Sequence, residues 1–145
     1  MVTMTGNLRP ELSKKNKYWI EKNRFYELKY FCLQYPLWKR VCDEIDSFRT
    51  SKFDFVRVSD GSVRDYVALC AEERSIYLDR ICVVEKAARD TDPYLASYIL
   101  KAVTEGHSYN YMKARLEIPC SRDMYYDRYR RFFWLLDQLH WKGDL

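Results

Sequence analysis

Residues 106–139, GHSYNYMKARLEIPCSRDMYYDRYRRFFWLLDQL, read as two helices joined by a tight turn. Gly106 suits the left-handed position that closes a preceding helix, and Ser108 is placed to cap the next one by accepting from its free N–H groups. Pro119 stops that short helix, because proline drives the residue before it out of helical geometry, and Ser121 or Cys120 opens the following one. The expected layout is a helix of roughly eight residues, a turn of about four and a helix of about eighteen, which is that of a helix-turn-helix. At about 100° per residue, Met124, Tyr125, Phe132, Leu135, Leu136 and Leu139 share one side of the second helix. Arg122, Asp123, Tyr126 and Arg130 lie on or near the other, in the half where a recognition helix meets base edges and phosphates. Arg122, Arg128, Arg130 and Arg131 among tyrosines also fit a plain solvated face, and the caps and turn tip the balance toward DNA.

Beyond the midpoint of this last helix, Phe133 and Trp134 lie opposite the leucines, so the helix is apolar nearly all round and a second surface must cover it. The N-terminal aromatic helices and another subunit are the two candidates. Upstream, Asp92 and Pro93 open a helix with Leu95, Tyr98, Ile99 and Val103 or Ala102 inward, ending at Gly106. Residues 92–145 are thus expected to form a C-terminal helix-turn-helix unit that binds DNA.

Before it, residues 17–91 are expected to form an N-terminal helical region. Ser62 with Asp65 three residues on makes a capping-box signature for a long helix from about 62 to about 89. Val63, Val67, Cys70, Arg74, Tyr77, Ile81, Val84 and Ala88 follow a heptad seam, interrupted by the arginine. A buried Arg74 needs a carboxylate such as Asp79 or Glu73 of a neighbouring helix; otherwise the seam is partly exposed. Homodimerisation through the 62–89 helix and packing within one chain weigh equally. Residues 50–61, with Phe53, Phe55, Val56 and Val58 in loose alternation, read as a linker. Phe25, Leu28, Phe31 or Cys32 and Tyr35 repeat at helical spacing from a cap at Asn23, Pro36 starts a new helix, and Trp38, Val41, Ile45 and Phe48 continue the spacing. Residues 1–16 read as a flexible basic tail, and Lys14, Lys15 and Lys17 at its end are more simply solvated than phosphate-bound.

The stretch SYNYMKARLEIPCSRDMYYDRYRRFFWLL (108–136) resembles the end of phage transcriptional regulators of the RinA and ArpU type, and more distantly the DNA-binding fourth region of bacterial sigma factors. YELKYFCLQYPLWKR (26–40) resembles the same family, and SYILKAVTEG (97–106) lies between the two blocks. The resemblance implies a sequence-specific DNA binder that activates late, packaging or integration genes in the cytoplasm of a bacterial host. Two departures stand out: Lys113 occupies a position where such scaffolds usually carry alanine, and Glu117 one where they usually carry the turn glycine. The turn around Pro119 and Cys120 is also one residue longer than the sigma-like pattern.

Composition agrees with an all-α fold, a helical bundle with a long central helix. Only 4 glycines and 4 prolines punctuate 145 residues, and 48% of these are apolar. The net charge of +4 is mild, but unevenly spread: residues 1–50 carry 10 basic and 6 acidic side chains, 51–106 carry 8 and 10, and 107–145 carry 7 and 5. Basic ends around an acidic middle fit phosphate contact at one end or both. Cys32, Cys42, Cys70, Cys82 and Cys120 form no CxxC pair and read as small apolar residues of a reduced cytosol. No span, signal peptide or lipidation motif is apparent, so no membrane partner is expected.

No glycine-rich phosphate loop exists, His107 and His140 read as surface residues, and the clusters Asp43, Glu44, Asp46 and Glu72, Glu73 read as solvated faces. An enzyme, a metal and a cofactor are therefore not expected. The site expected from these residues places Arg122, Asp123, Tyr126 and Arg130 near bases and Ser121, Tyr109, Lys113 and Arg128 toward phosphate, with double-stranded DNA and host RNA polymerase as partners. Two alternatives use the same helices differently: an interaction module that grips RNA polymerase or another host protein without reading DNA, and a small packaging-type subunit that binds DNA as a ring.

Overall fold

The computed structural model describes residues 14–53 and 61–143. They form six helices and no strand: α1 (Lys22–Leu33), α2 (Tyr35–Phe53), α3 (Gly61–Thr91), α4 (Ala96–Glu105), α5 (Tyr109–Leu116) and α6 (Arg122–Gly143). The all-α expectation and the long central helix hold. Most of the expected tail, and Phe55, Val56 and Val58 of the expected linker, lie outside the described residues, as do the side chains of His140 and Ser62. Residues 50–53 of that linker belong to α2.

Helix boundaries follow local chemistry. The Glu21 carboxylate accepts from the N–H groups of Asn23 (2.8 Å) and Arg24 (3.1 Å), so α1 is capped two residues before the expected Asn23. Pro36 falls in the first turn of α2, where its missing N–H has no intrahelical partner to lose. Asp92 Oδ1 accepts from Tyr94 N–H (3.0 Å) and Leu95 N–H (3.3 Å), closing the turn that leads into α4. Gly106 ends α4 at φ 73°, in the left-handed region that a Cβ disfavours.

The described residues divide into two compact units: one holds those up to Gln34 together with those from Val83 onward, and the other those of Tyr35–Cys82. The aromatic face of α1 holds that helix in the first unit. Phe25, Leu28 and Cys32 are buried, and α1 packs on α4 and α6. Burying a side chain such as Phe25 or Leu28 is worth about 2–3 kcal/mol, more than a helix this short could recover alone. Leu95, Ile99, Ala102 and Val103 of α4, Met112 of α5, and Tyr125, Phe132, Phe133 and Leu136 of α6 complete that core.

In the second unit, Trp38, Cys42, Ile45, Cys70 and Ile81 are buried. The Arg74 guanidinium donates to both oxygens of Asp46, at 2.7 and 3.2 Å, so its partner is on α2 and is neither Asp79 nor Glu73. The Arg80 guanidinium lies 5.8 Å from the Trp38 ring centre and 5.7 Å from that of Tyr77. Of the heptad seam, Cys70, Ile81, Val84 and Ala88 are buried, Val67 and Tyr77 are half-buried, and Arg74 is paired. Four of the cysteines are buried and Cys82 is exposed; all five are free thiols.

Candidate nucleic-acid interface

The turn between α5 and α6 is built from backbone and two inward side chains. Ser108 Oγ caps α5 by accepting from Tyr111 N–H at 3.2 Å. Glu117 then takes the left-handed conformation, φ 52° and ψ 44°, and its N–H bonds the Met112 carbonyl. A residue with a Cβ thus adopts here the left-handed geometry that glycine takes most readily. Ile118 and Cys120 turn inward, and Ser121 Oγ accepts from Met124 N–H at 3.2 Å to open α6. Pro119 sits inside the turn, three residues after the end of the helix at Leu116.

On α6, Tyr125, Phe132 and Leu136 are buried as the leucine-side pattern requires, while Leu135 and Leu139 are half-buried. Met124, at the edge of that face in the first turn, is 38% exposed. Phe133 and Trp134 have the cover their position demanded. Phe25 of α1 meets Phe133 edge-on at 5.0 Å, Tyr18 lies 5.7 Å from Trp134, and Arg24 Nε donates to Asp137 at 2.6 Å. In the first turns of α6, Arg122, Asp123 and Met124 are exposed and Tyr126 to Arg130 are half-buried.

Within that window the expected base-facing residues share one side. Arg122 and Asp123 are exposed, and Tyr126 and Arg130 are half-buried. Arg122 is held across the turn: its Nη2 donates to Asn110 Oδ1 at 2.5 Å and its guanidinium lies 5.2 Å from the Tyr109 ring centre. Arg130 Nε and Arg131 Nε are both screened from solvent and have no hydrogen-bond acceptor, so that feature does not distinguish the two. Lys113 is exposed and donates only weakly to the Ile118 carbonyl, at 3.4 Å.

Two residues expected toward phosphate are committed to the interior. Tyr109 is 8% exposed and its hydroxyl donates to the Cys120 carbonyl at 2.8 Å, which ties α5 to the turn. Arg128 donates to Asp92 Oδ2 at 3.0 Å and to Asp127 Oδ2 at 2.6 Å, fixing α6 to the turn before α4. Burial pushes the Asp92 carboxyl up, but the Arg128 guanidinium and the N–H groups of Leu95 and Tyr94 outweigh it and hold the group below its ordinary range. Arg131, the other arginine of the helix, donates to the Tyr18 hydroxyl and the Asp90 carbonyl, both at 3.4 Å. Ser121 is exposed, with its Oγ engaged as the cap. Arg115, exposed in the last turn of α5, joins the open cations; its place beside Lys113 in KAR was the signal for it.

His107 stacks on Tyr111 at 3.9 Å and bonds Glu105 at 3.1 Å. Among the described residues no group of His, Cys, Asp and Glu could hold a metal ion, and no helix is long and apolar enough to cross a membrane. No family model, curated protein or solved structure matches the chain.

Proposed function

We propose that the chain is a phage-type, sequence-specific DNA-binding transcriptional regulator, an activator of late or packaging and integration genes, that lays the first half of α6 in the major groove. The observation that carries this reading is the row Arg122, Tyr126 and Arg130 at four-residue spacing, set on a buried anchor of Tyr125, Phe132 and Leu136. Arg122 presents donors suited to guanine O6 and N7, and Asp123 an acceptor suited to cytosine N4. Lys113 and Arg115 of α5 supply phosphate contact beside them, and Arg130 supplies a further cation at the rear of the window. Double-stranded DNA is the partner, with host RNA polymerase as the target of activation.

The electrostatics favour readout over bulk attraction. Asp123, Asp127 and Glu117 stand among the cations, and Arg128 and Arg131 are spent on internal bonds. With Lys113, Arg115, Arg122 and Arg130 as the available charges, the slope of log K against log salt should be about −3 to −4 per chain. Selection of preferred sites from a random duplex pool by the full chain tests the proposal. A defined motif is expected; Arg122→Ala should relax it at one position, at a cost of about 1–3 kcal/mol for the preferred base. Lys113→Ala should weaken all sequences evenly and reduce the salt slope by about one unit. No enrichment, with both variants binding like wild type at low salt, would overturn it.

A further inference from the structure

The long helix α3 carries a second pattern on the side away from its buried seam. Leu69 and Ile76 stand seven residues apart, the row Asp65, Glu72 and Asp79 runs along one flank, and Tyr66, Glu73 and Arg80 run along the other. The middle of this face is open: Leu69 is 63% exposed, Ile76 53% and Tyr66 51%. Single exposed apolar residues are ordinary, but Leu69 and Ile76 at heptad spacing, with Tyr66 one turn before Leu69, form the half-seam that a second helix would complete.

The charge around the half-seam is one-sided. Asp65, Glu72, Glu73 and Asp79 are all exposed and enter no ion pair among the described residues. Arg80, the cation on this face, rests on the Trp38 and Tyr77 rings. We propose that this face of α3 docks an α-helix of another protein, one with apolar residues at seven-residue spacing flanked by lysine or arginine. Flanking charges set partner choice in helix pairs. A second copy of this chain is the wrong occupant, because antiparallel pairing about the midpoint between Leu69 and Ile76 lays the Asp65, Glu72 and Asp79 row along the same row of the other copy, and parallel pairing sets Glu72 beside Glu73. The proposal rests on a different helix and a different unit from the DNA reading and stands or falls separately.

The experiment uses the full chain and two fluorescent synthetic helices with the same leucine heptads, one flanked by lysine and one by glutamate. The lysine helix should bind at least about tenfold tighter than the glutamate helix, and less tightly as salt rises. The Glu72→Lys/Asp79→Lys double variant should reverse that preference. Leu69→Ser/Ile76→Ser should lose at least about tenfold in affinity for the lysine helix, with the melting curve and duplex-DNA affinity unchanged. Equal binding of the two helices, or undiminished binding by Leu69→Ser/Ile76→Ser, would overturn the proposal. So would a sedimentation measurement showing a dimer that the same serine variant dissolves, since the occupant would then be a second copy.

Discussion

The two halves of α6 are written in the same alphabet, arginine and aromatics, yet they have opposite fates. In the first half Arg122 lies against its neighbours Asn110 and Tyr109 at the surface, and Arg130 is half-buried. In the second, Phe133 is enclosed by Phe25, Trp134 by Tyr18, and Asp137 is bonded by Arg24. Arg130 and Arg131 are sequence neighbours, but Arg131 is drawn onto the Tyr18 hydroxyl and the Asp90 carbonyl while Arg130 is not. What separates a structural arginine from an available one here is whether the 18–25 segment or the Asp92 turn reaches it.

If that contrast is real, stability and recognition should come apart along the helix. Phe133→Ala removes a side chain that is 1% exposed and packed on Phe25, Tyr129 and Phe132. It should destabilise the fold by about 3–5 kcal/mol in denaturant titration. Arg122→Ala, at an exposed position, should change stability by no more than about 0.5 kcal/mol while altering DNA preference. A loss below about 1 kcal/mol for Phe133→Ala would mean that α1 does not close the rear half, and the contrast would fail.

Next in size is Asp92→Asn. Asparagine can still accept from the Tyr94 and Leu95 N–H groups, so the change isolates the charge opposite Arg128. The pair is partly exposed, with side chains at 30% and 16%, so solvent screening limits its contribution to about 1 kcal/mol near neutral pH. The sign with pH follows from the depressed carboxyl. Its contribution is present above the ordinary value of 3.8 and is lost as pH falls from there through the lower folded value. Stability of the Asp92→Asn variant should therefore fall less than that of wild type below about pH 4, read by thermal melts across the acid range.

Much of the fold was legible because the punctuation is local. Gly106, Ser108, Pro36 and the Asp92 turn each act through neighbours within a few residues, and three-four spacing picked out Phe25, Trp38, Ile99 and Phe132 as core. The need for cover over Phe133 and Trp134 was legible too, and α1 meets it. What could not be read were choices between chemically equal partners far apart in sequence. Arg74 took Asp46, 28 positions away, in place of nearer carboxylates, and Arg128 took Asp92, 36 positions away. Tyr109 had the same hydroxyl whether it met phosphate or the Cys120 carbonyl. Of the base-facing set, Arg122, Asp123, Tyr126 and Arg130 remain together on one open side, because helical periodicity alone fixes that relation.

The finest difference lies at Glu117, where the open half of α6 is aimed. A side chain at φ 52° costs about 1–2 kcal/mol relative to right-handed geometry. Glycine removes that cost but loses roughly 0.5–1 kcal/mol more in chain entropy on folding. Glu117→Gly should thus stabilise the fold by about 0.5 kcal/mol, a small upward shift in the denaturation midpoint. The exposed Glu117 carboxylate also stands on the same turn as Lys113, so its removal should raise DNA affinity at low salt slightly and leave the preferred sequence unchanged. If the variant instead changes which bases are preferred, the left-handed residue sets the angle of α6 through its side chain and not through its backbone alone.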